Sequence, residues 1–133
     1  MTAINLRAAE ARELIDAGRV EVVRVIPLPN LSCPFPAAGS VVACREKHWI
    51  VERDGQGIDM PFFVYDDEWG DHYVKPETPL RIWQSQYSTY GPRSAATMPN
   101  WAIRLHARVE SRSAEVRDGK WFWVAVLVRV EKP

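Results

Sequence analysis

The stretch from Leu6 to Ile26, LRAAEARELIDAGRVEVVRVI, changes its hydrophobic period once, at Gly18, and that change decides the fold class. Up to Ala17 the residues Leu6, Ala9, Leu14 and Ile15, with Ala8 and Ala11, make one helical stripe. Arg7, Glu10, Arg12, Glu13 and Asp16 cover the remaining helix surface. Gly18 stands where a helix ends in the left-handed conformation, which glycine enters without a Cβ penalty. From Val20 to Ile26 β-branched residues take over and predict a strand, ended by Pro27 and Pro29, which cannot donate to a ladder.

Outward from this unit the remaining chain reads as strands. Gly39 to Val51 is one strand or two joined at a bend, and Asp54 to Gly57 is a turn. Phe62 to Tyr65, His72 to Lys75 and Leu80 to Trp83 are short strands, and Ser85 to Pro99 is a polar loop. Trp101 to Arg112 alternates, with Ile103, Leu105, Ala107 and Val109 on one face and Arg104, His106, Arg108 and Glu110 on the other. Arg117 to Lys120 is a tight turn into a long strand, Trp121 to Val130, with Phe122, Val124, Val126, Val128 and Val130 on one side. One helix and about seven strands without a βαβ rhythm predict an α+β fold, a small barrel of five to seven strands with the helix beside it. Residues 1–133 form a single domain in this reading.

Composition narrows the function classes. A chain of 133 residues with 47% hydrophobic side chains is long enough for one core, which excludes general disorder. Seventeen basic and seventeen acidic residues cancel, so the chain lacks the net charge of a strongly basic nucleic-acid binder. No apolar run reaches the length of a membrane-spanning helix, no secretory leader is visible, and two cysteines make no disulfide framework. A cytoplasmic protein without membrane partner is the expectation. Six Trp, four Tyr and four Phe suggest an aromatic core or a pocket with stacking surfaces.

Four stretches carry a family resemblance: Ala17-Gly18-Arg19 running into Arg24-Val25; Cys33-Pro34-Phe35 with Ala38-Gly39-Ser40 and Arg45-Glu46-Lys47-His48-Trp49; Met98-Pro99-Asn100-Trp101-Ala102-Ile103-Arg104-Leu105; and Trp121-Phe122-Trp123-Val124. In this order they resemble the ASCH-domain proteins of the PUA-like superfamily, in the form common in bacteriophage and prophage genomes. The resemblance implies a PUA-like barrel that binds RNA or a modified nucleotide. Some small ASCH proteins are amidohydrolases of acetylated cytidine nucleosides, using a Lys after the first helix, a Thr three residues later and a Glu on a barrel strand. Here Val20 and Val23 occupy the Lys and Thr positions, and only the acid is kept, as Glu46. Valine offers neither amine nor hydroxyl, so the reading leans away from an enzyme and assigns no catalytic residue. The alternatives are a modified-nucleoside hydrolase with relocated catalytic groups and a phage protein-interaction module without small ligand.

The candidate ligand residues are Arg24, Glu46, Tyr87, Tyr90, Asn100 and Trp101. Glu46 either accepts hydrogen bonds from a ligand or pairs with Arg24 to hold two strands together. Tyr87 and Tyr90 either stack on a base or pin their own loop. Arg104, Arg108 and Arg112 are the candidate nucleic-acid contacts, because residues 78 to 112 hold five basic residues against the single acid Glu110. The other reading of that face is a solvated surface with weak ion pairs. The acids Asp66, Asp67, Glu68 and Asp71 match no calcium-loop spacing and the three histidines no zinc signature, so no metal and no cofactor is expected.

Overall fold

The computed structural model describes residues 2–27, 31–52, 61–65, 73–74 and 91–133. The chain runs β1 (Ala3–Leu6), α1 (Ala8–Ala17), β2 (Arg19–Val25), β3 (Val41–Glu46), β4 (His48–Glu52), β5 (Pro61–Tyr65), β6 (Tyr73–Val74), β7 (Gly91–Arg93), β8 (Leu105–Arg117) and β9 (Lys120–Val130). Two 3-10 turns, Ala95–Thr97 and Asn100–Ala102, lie between β7 and β8. The expected short strand Leu80 to Trp83 and the turn at Asp54 lie outside the described residues, as does the acidic stretch Asp66 to Asp71.

The helix stop follows the sequence closely, but its start does not: Leu6, read as the first residue of the helical stripe, ends the unexpected strand β1, and α1 begins at Ala8. Gly18 has φ +71° and its N–H donates to Leu14 O at 3.0 Å. At the other end Arg7 is a poor cap, and the Glu10 carboxylate accepts the Arg7 N–H at 2.8 Å instead. The β8–β9 hairpin turns at Asp118-Gly119, where both central residues have positive φ, 51° and 75°. Two such residues make the turn whose twist matches the flanking strands.

Five strands form one mixed sheet in the order β1-β3-β8-β9-β2, and β6-β5-β4-β7 form a second, antiparallel one. Only the β1–β3 pair in the first sheet is parallel. The edges of that sheet are β1 and β2, the two strands that α1 connects. The sheet therefore curls into a trough, not closed into a barrel, with α1 laid across the opening. Ile4 and Leu6 of β1, Val20 and Val22 of β2, Val42 and Cys44 of β3, Leu105, Ala107 and Val109 of β8, and Ala125 and Leu127 of β9 line its inner face. Ala11 and Leu14 of α1 close it. Leu14, Leu105 and Leu127 are at most 1% exposed, and truncation of such a leucine to alanine costs about 2–5 kcal/mol. The side of β9 that carries Val124, Val126, Val128 and Val130 is the outer face of the sheet.

Two irregularities change what the sequence alternation predicted. The strand expected from Trp101 begins only at Leu105, because Asn100 to Ala102 is a 3-10 turn. Inside β8 the register passes from Val109↔Leu127 to Ser111↔Val126, leaving Glu110 as an extra, bulged residue. One inserted residue exchanges the faces of everything after it. Beyond the bulge Arg112 pairs with Ala125 and faces inward with Ala114 and Val116, whereas Arg108 pairs with Val128 and faces outward. The hairpin also curls. Arg117 donates to the Glu21 carboxylate at 2.7 Å although Glu21 is paired with Val126, six residues along β9 from Lys120, the partner of Arg117.

Candidate ligand-binding cleft

Arg24 lies on the inner face of β2, on the rung of Trp123. Its guanidinium is held by four bonds: Nη1 donates to Glu10 Oε2 at 2.7 Å and Val23 O at 2.9 Å, and Nη2 donates to Glu10 Oε1 at 2.7 Å and Asn5 O at 2.9 Å. Asn5 belongs to β1, so one side chain ties both edges of the sheet to the helix between them. Glu10, placed by the helical stripe among the solvated residues, is instead 13% exposed and paired.

Beside this clasp is a cleft of about 510 Å³, lined by Arg24, Trp123, Ser32, Cys33, Phe35 and the β1 backbone, among others. The Cys33-Pro34-Phe35 loop is anchored here because Phe35 is 3% exposed in the core and its carbonyl accepts Arg112 Nη1 at 2.7 Å. Trp123 is half-buried, and its Nε1–H is enclosed without an acceptor among the described residues. Trp121, two residues earlier in β9, continues the same face and is 51% exposed. The inner face of the distal hairpin thus presents Trp121, Val116 and Arg112 beyond the packed core, with Trp123 packed against the core's edge. Trp121 and Trp123 share a face by strand alternation alone, a signal the sequence carries. Their placement on the cleft side depends on which face the helix covers.

Glu46 belongs to a separate site, at the end of β3 where β8 begins. It is 2% exposed, and Arg104 chelates it: Nε donates to Oε2 at 3.0 Å and Nη2 to Oε1 at 2.8 Å. The expected partner Arg24 is thus replaced by Arg104. Arg24 is taken up by Glu10, Val23 O and Asn5 O, while Glu46 lies past the Cys44↔Leu105 rung, where Arg104 leads into β8. The Glu46 N–H also donates to Met98 Sδ at 3.4 Å. The Arg45-Glu46 and Met98-to-Leu105 stretches, far apart in sequence, meet at this pair. His48 is fully buried with its Nδ1–H on Glu46 O at 3.1 Å. Burial first, and the Arg93 charge after it, hold this imidazole below its ordinary range, opposed by the Glu46 carbonyl. Burial and then the Glu46 charge push the Cys44 thiol up to about 12.

The other expected positions distribute as follows. Val20 is 2% exposed inside the core, while Val23 has the opposite parity in β2, so the two do not face one space. Asn100 is exposed at the start of its 3-10 turn. Tyr87, Tyr90 and the Trp101 side chain lie outside the described residues. Arg104, Arg108 and Arg112 do not share one face, which corrects the basic-strand expectation. Arg104 precedes the strand and binds Glu46, Arg108 points outward, and the bulge turns Arg112 inward. Comparison with protein-family models, with curated proteins and with solved structures found no match.

Proposed function

We propose that this chain is a PUA-like, ASCH-type binding domain that recognises a nucleotide or single-stranded RNA without hydrolysing it. The observation that carries the reading is Trp121, a large indole 51% exposed on the same strand face as Trp123, with Arg112 on that hairpin face four rungs nearer the core. An exposed indole accepts the face of any base, at about 1–3 kcal/mol per stacked base, and an arginine further along the same face suits a phosphate of the bound strand. The Trp123 Nε1–H, enclosed without an acceptor among the described residues, offers a donor to a base edge entering the cleft. The family resemblance supports the same ligand class. Val20 and Val23, one in the core and one on the outer face, support the non-catalytic form.

Anisotropy of a labelled single-stranded RNA tests this. Trp121→Ala should weaken binding by about tenfold or more, and Arg112→Ala should flatten the salt dependence by about 0.7 in log–log slope. RNA and nucleotides that fail to bind at low salt, or binding indifferent to both substitutions, would overturn the reading. The second reading, a protein-interaction module, is favoured by the cross-strand apolar pair Val116 and Trp121, which are 54% and 51% exposed on one face. It predicts that Val116→Ser abolishes a protein complex while nucleic acid never binds.

A further inference from the structure

A second pocket, of about 450 Å³, opens on the other side of the five-stranded sheet. The registers Ala3↔Ala43, Asn5↔Arg45 and Ala43↔His106 bring the outer faces of β1, β3 and β8 together there. Ala3 and Ala43 keep the floor low, and Arg45, Asn100, His106 and Lys132 stand around it. Among the described residues the lining carries an arginine, a lysine and a histidine and no Asp or Glu side chain.

Arg45 is the telling group. Its Nη1 donates to Ala96 O at 2.9 Å, which fixes the guanidinium between the sheet and the first 3-10 turn. Its Nε–H is buried with no acceptor among the described residues. With Nη1 committed, the edge left over is Nε with Nη2, a fork that matches two oxygens of one oxyanion. Buried donors are rarely left unmade in folded proteins, so an orphan in a basic pocket points to a missing acceptor. His106, 7% exposed, is held below its ordinary range by burial first and then by the Lys132 charge, so the local field is positive.

We propose that this pocket binds a phosphate group, chelated by the Nε–Nη2 edge of Arg45 and flanked by Asn100 and Lys132. The site lies on the face opposite Trp121 and does not depend on the reading of the cleft. Calorimetric titration with inorganic phosphate, at ionic strength held constant with chloride, tests it. Saturable binding is expected. Arg45→Lys, which keeps the charge and loses the fork, and Lys132→Ala should each weaken it by about tenfold, the worth of one hydrogen bond to a charged group. Trp121→Ala should leave it unchanged. Lys132 is exposed, so Lys132→Ala remains informative if Arg45→Lys fails to fold. Absence of saturation, equal heats with chloride, or affinity indifferent to both substitutions would overturn the site. Competition by short oligonucleotides then identifies the source. A 5′-phosphorylated strand that competes better than its 5′-hydroxyl counterpart marks a terminal phosphate, equal competition marks the phosphodiester backbone, and none marks a small free anion.

Discussion

Arg24 and Glu10 face each other in a two-pronged ion pair, Nη1 to Oε2 and Nη2 to Oε1, both at 2.7 Å, and this pair spans the open side of the sheet. Glu10 also holds the helix start through Arg7, and Arg24 reaches the far edge strand through Asn5 O. Removing one partner leaves the other partly buried and uncompensated, so Arg24→Ala should cost about 3 kcal/mol. Arg24→Lys should recover only part of this, because an ammonium cannot bond Glu10 and Asn5 with the same fixed geometry. Urea unfolding of both variants checks this; equal stability of Arg24→Ala and the parent would refute the clasp.

The Glu46–Arg104 pair makes a parallel prediction where β3 ends and β8 begins. The Glu46 and Arg104 side chains are 3% and 20% exposed. Glu46→Gln should therefore lower the melting temperature by on the order of 10 °C, from a loss of about 3 kcal/mol, with or without ligand. If Glu46 reads a ligand instead, the fold survives and the ligand-induced thermal shift disappears. A double-mutant cycle with Arg104→Leu should give a coupling of about 1 kcal/mol or more.

Gly18 should resist replacement for a backbone reason alone. Among the described residues, its chain neighbours aside, no atom lies within 4 Å of the place a Cβ would take, yet φ is +71°. Gly18→Ala should cost about 1–2 kcal/mol, read as a lower urea midpoint with an unchanged m-value.

Stability should fall on mild acidification. His48 and His106 are both held below the ordinary histidine range, by burial first in each case. Above the unfolded histidine pKa both states are neutral and the stability is fully present. As pH drops below it, the unfolded chain takes up protons that the folded chain refuses. The slope is up to about 1.4 kcal/mol per pH unit for each histidine. Unfolding midpoints at pH 7.5 and 5.5 measure the loss; NMR titration showing ordinary pKa values for both rings would remove the explanation.

Thiol labelling should separate the two cysteines. Cys44 is fully buried with its pKa pushed up to about 12, while Cys33 is half-buried beside the cleft. The thiolate is the reactive form. An aromatic disulfide reagent at pH 8 should therefore modify one thiol in the native protein and the second only on unfolding. Labelling of both at one rate would contradict the buried Cys44.

What the sequence determined by itself is local. The body of the helix up to Ala17, its stop at Gly18, the strand after it and the Asp118-Gly119 turn all follow from interactions within a few residues, which composition and period encode directly, whereas Leu6, read as helical, was claimed by β1. The pairing of Glu46 with Arg104 and of Arg24 with Glu10 was decided only by the tertiary structure. These contacts span 58 and 14 residues, and a charge pattern does not say which opposite charge the packing will bring near. The basic strand shows the limit most clearly. Alternation is a rule about consecutive residues, and it put Arg108 and Arg112 on one face. A single bulged residue, Glu110, inserted where β3 stops pairing with β8, set them on opposite faces. The insertion is set by the partner strands, which supply or withhold the hydrogen bonds, and β8 read alone contains no trace of it.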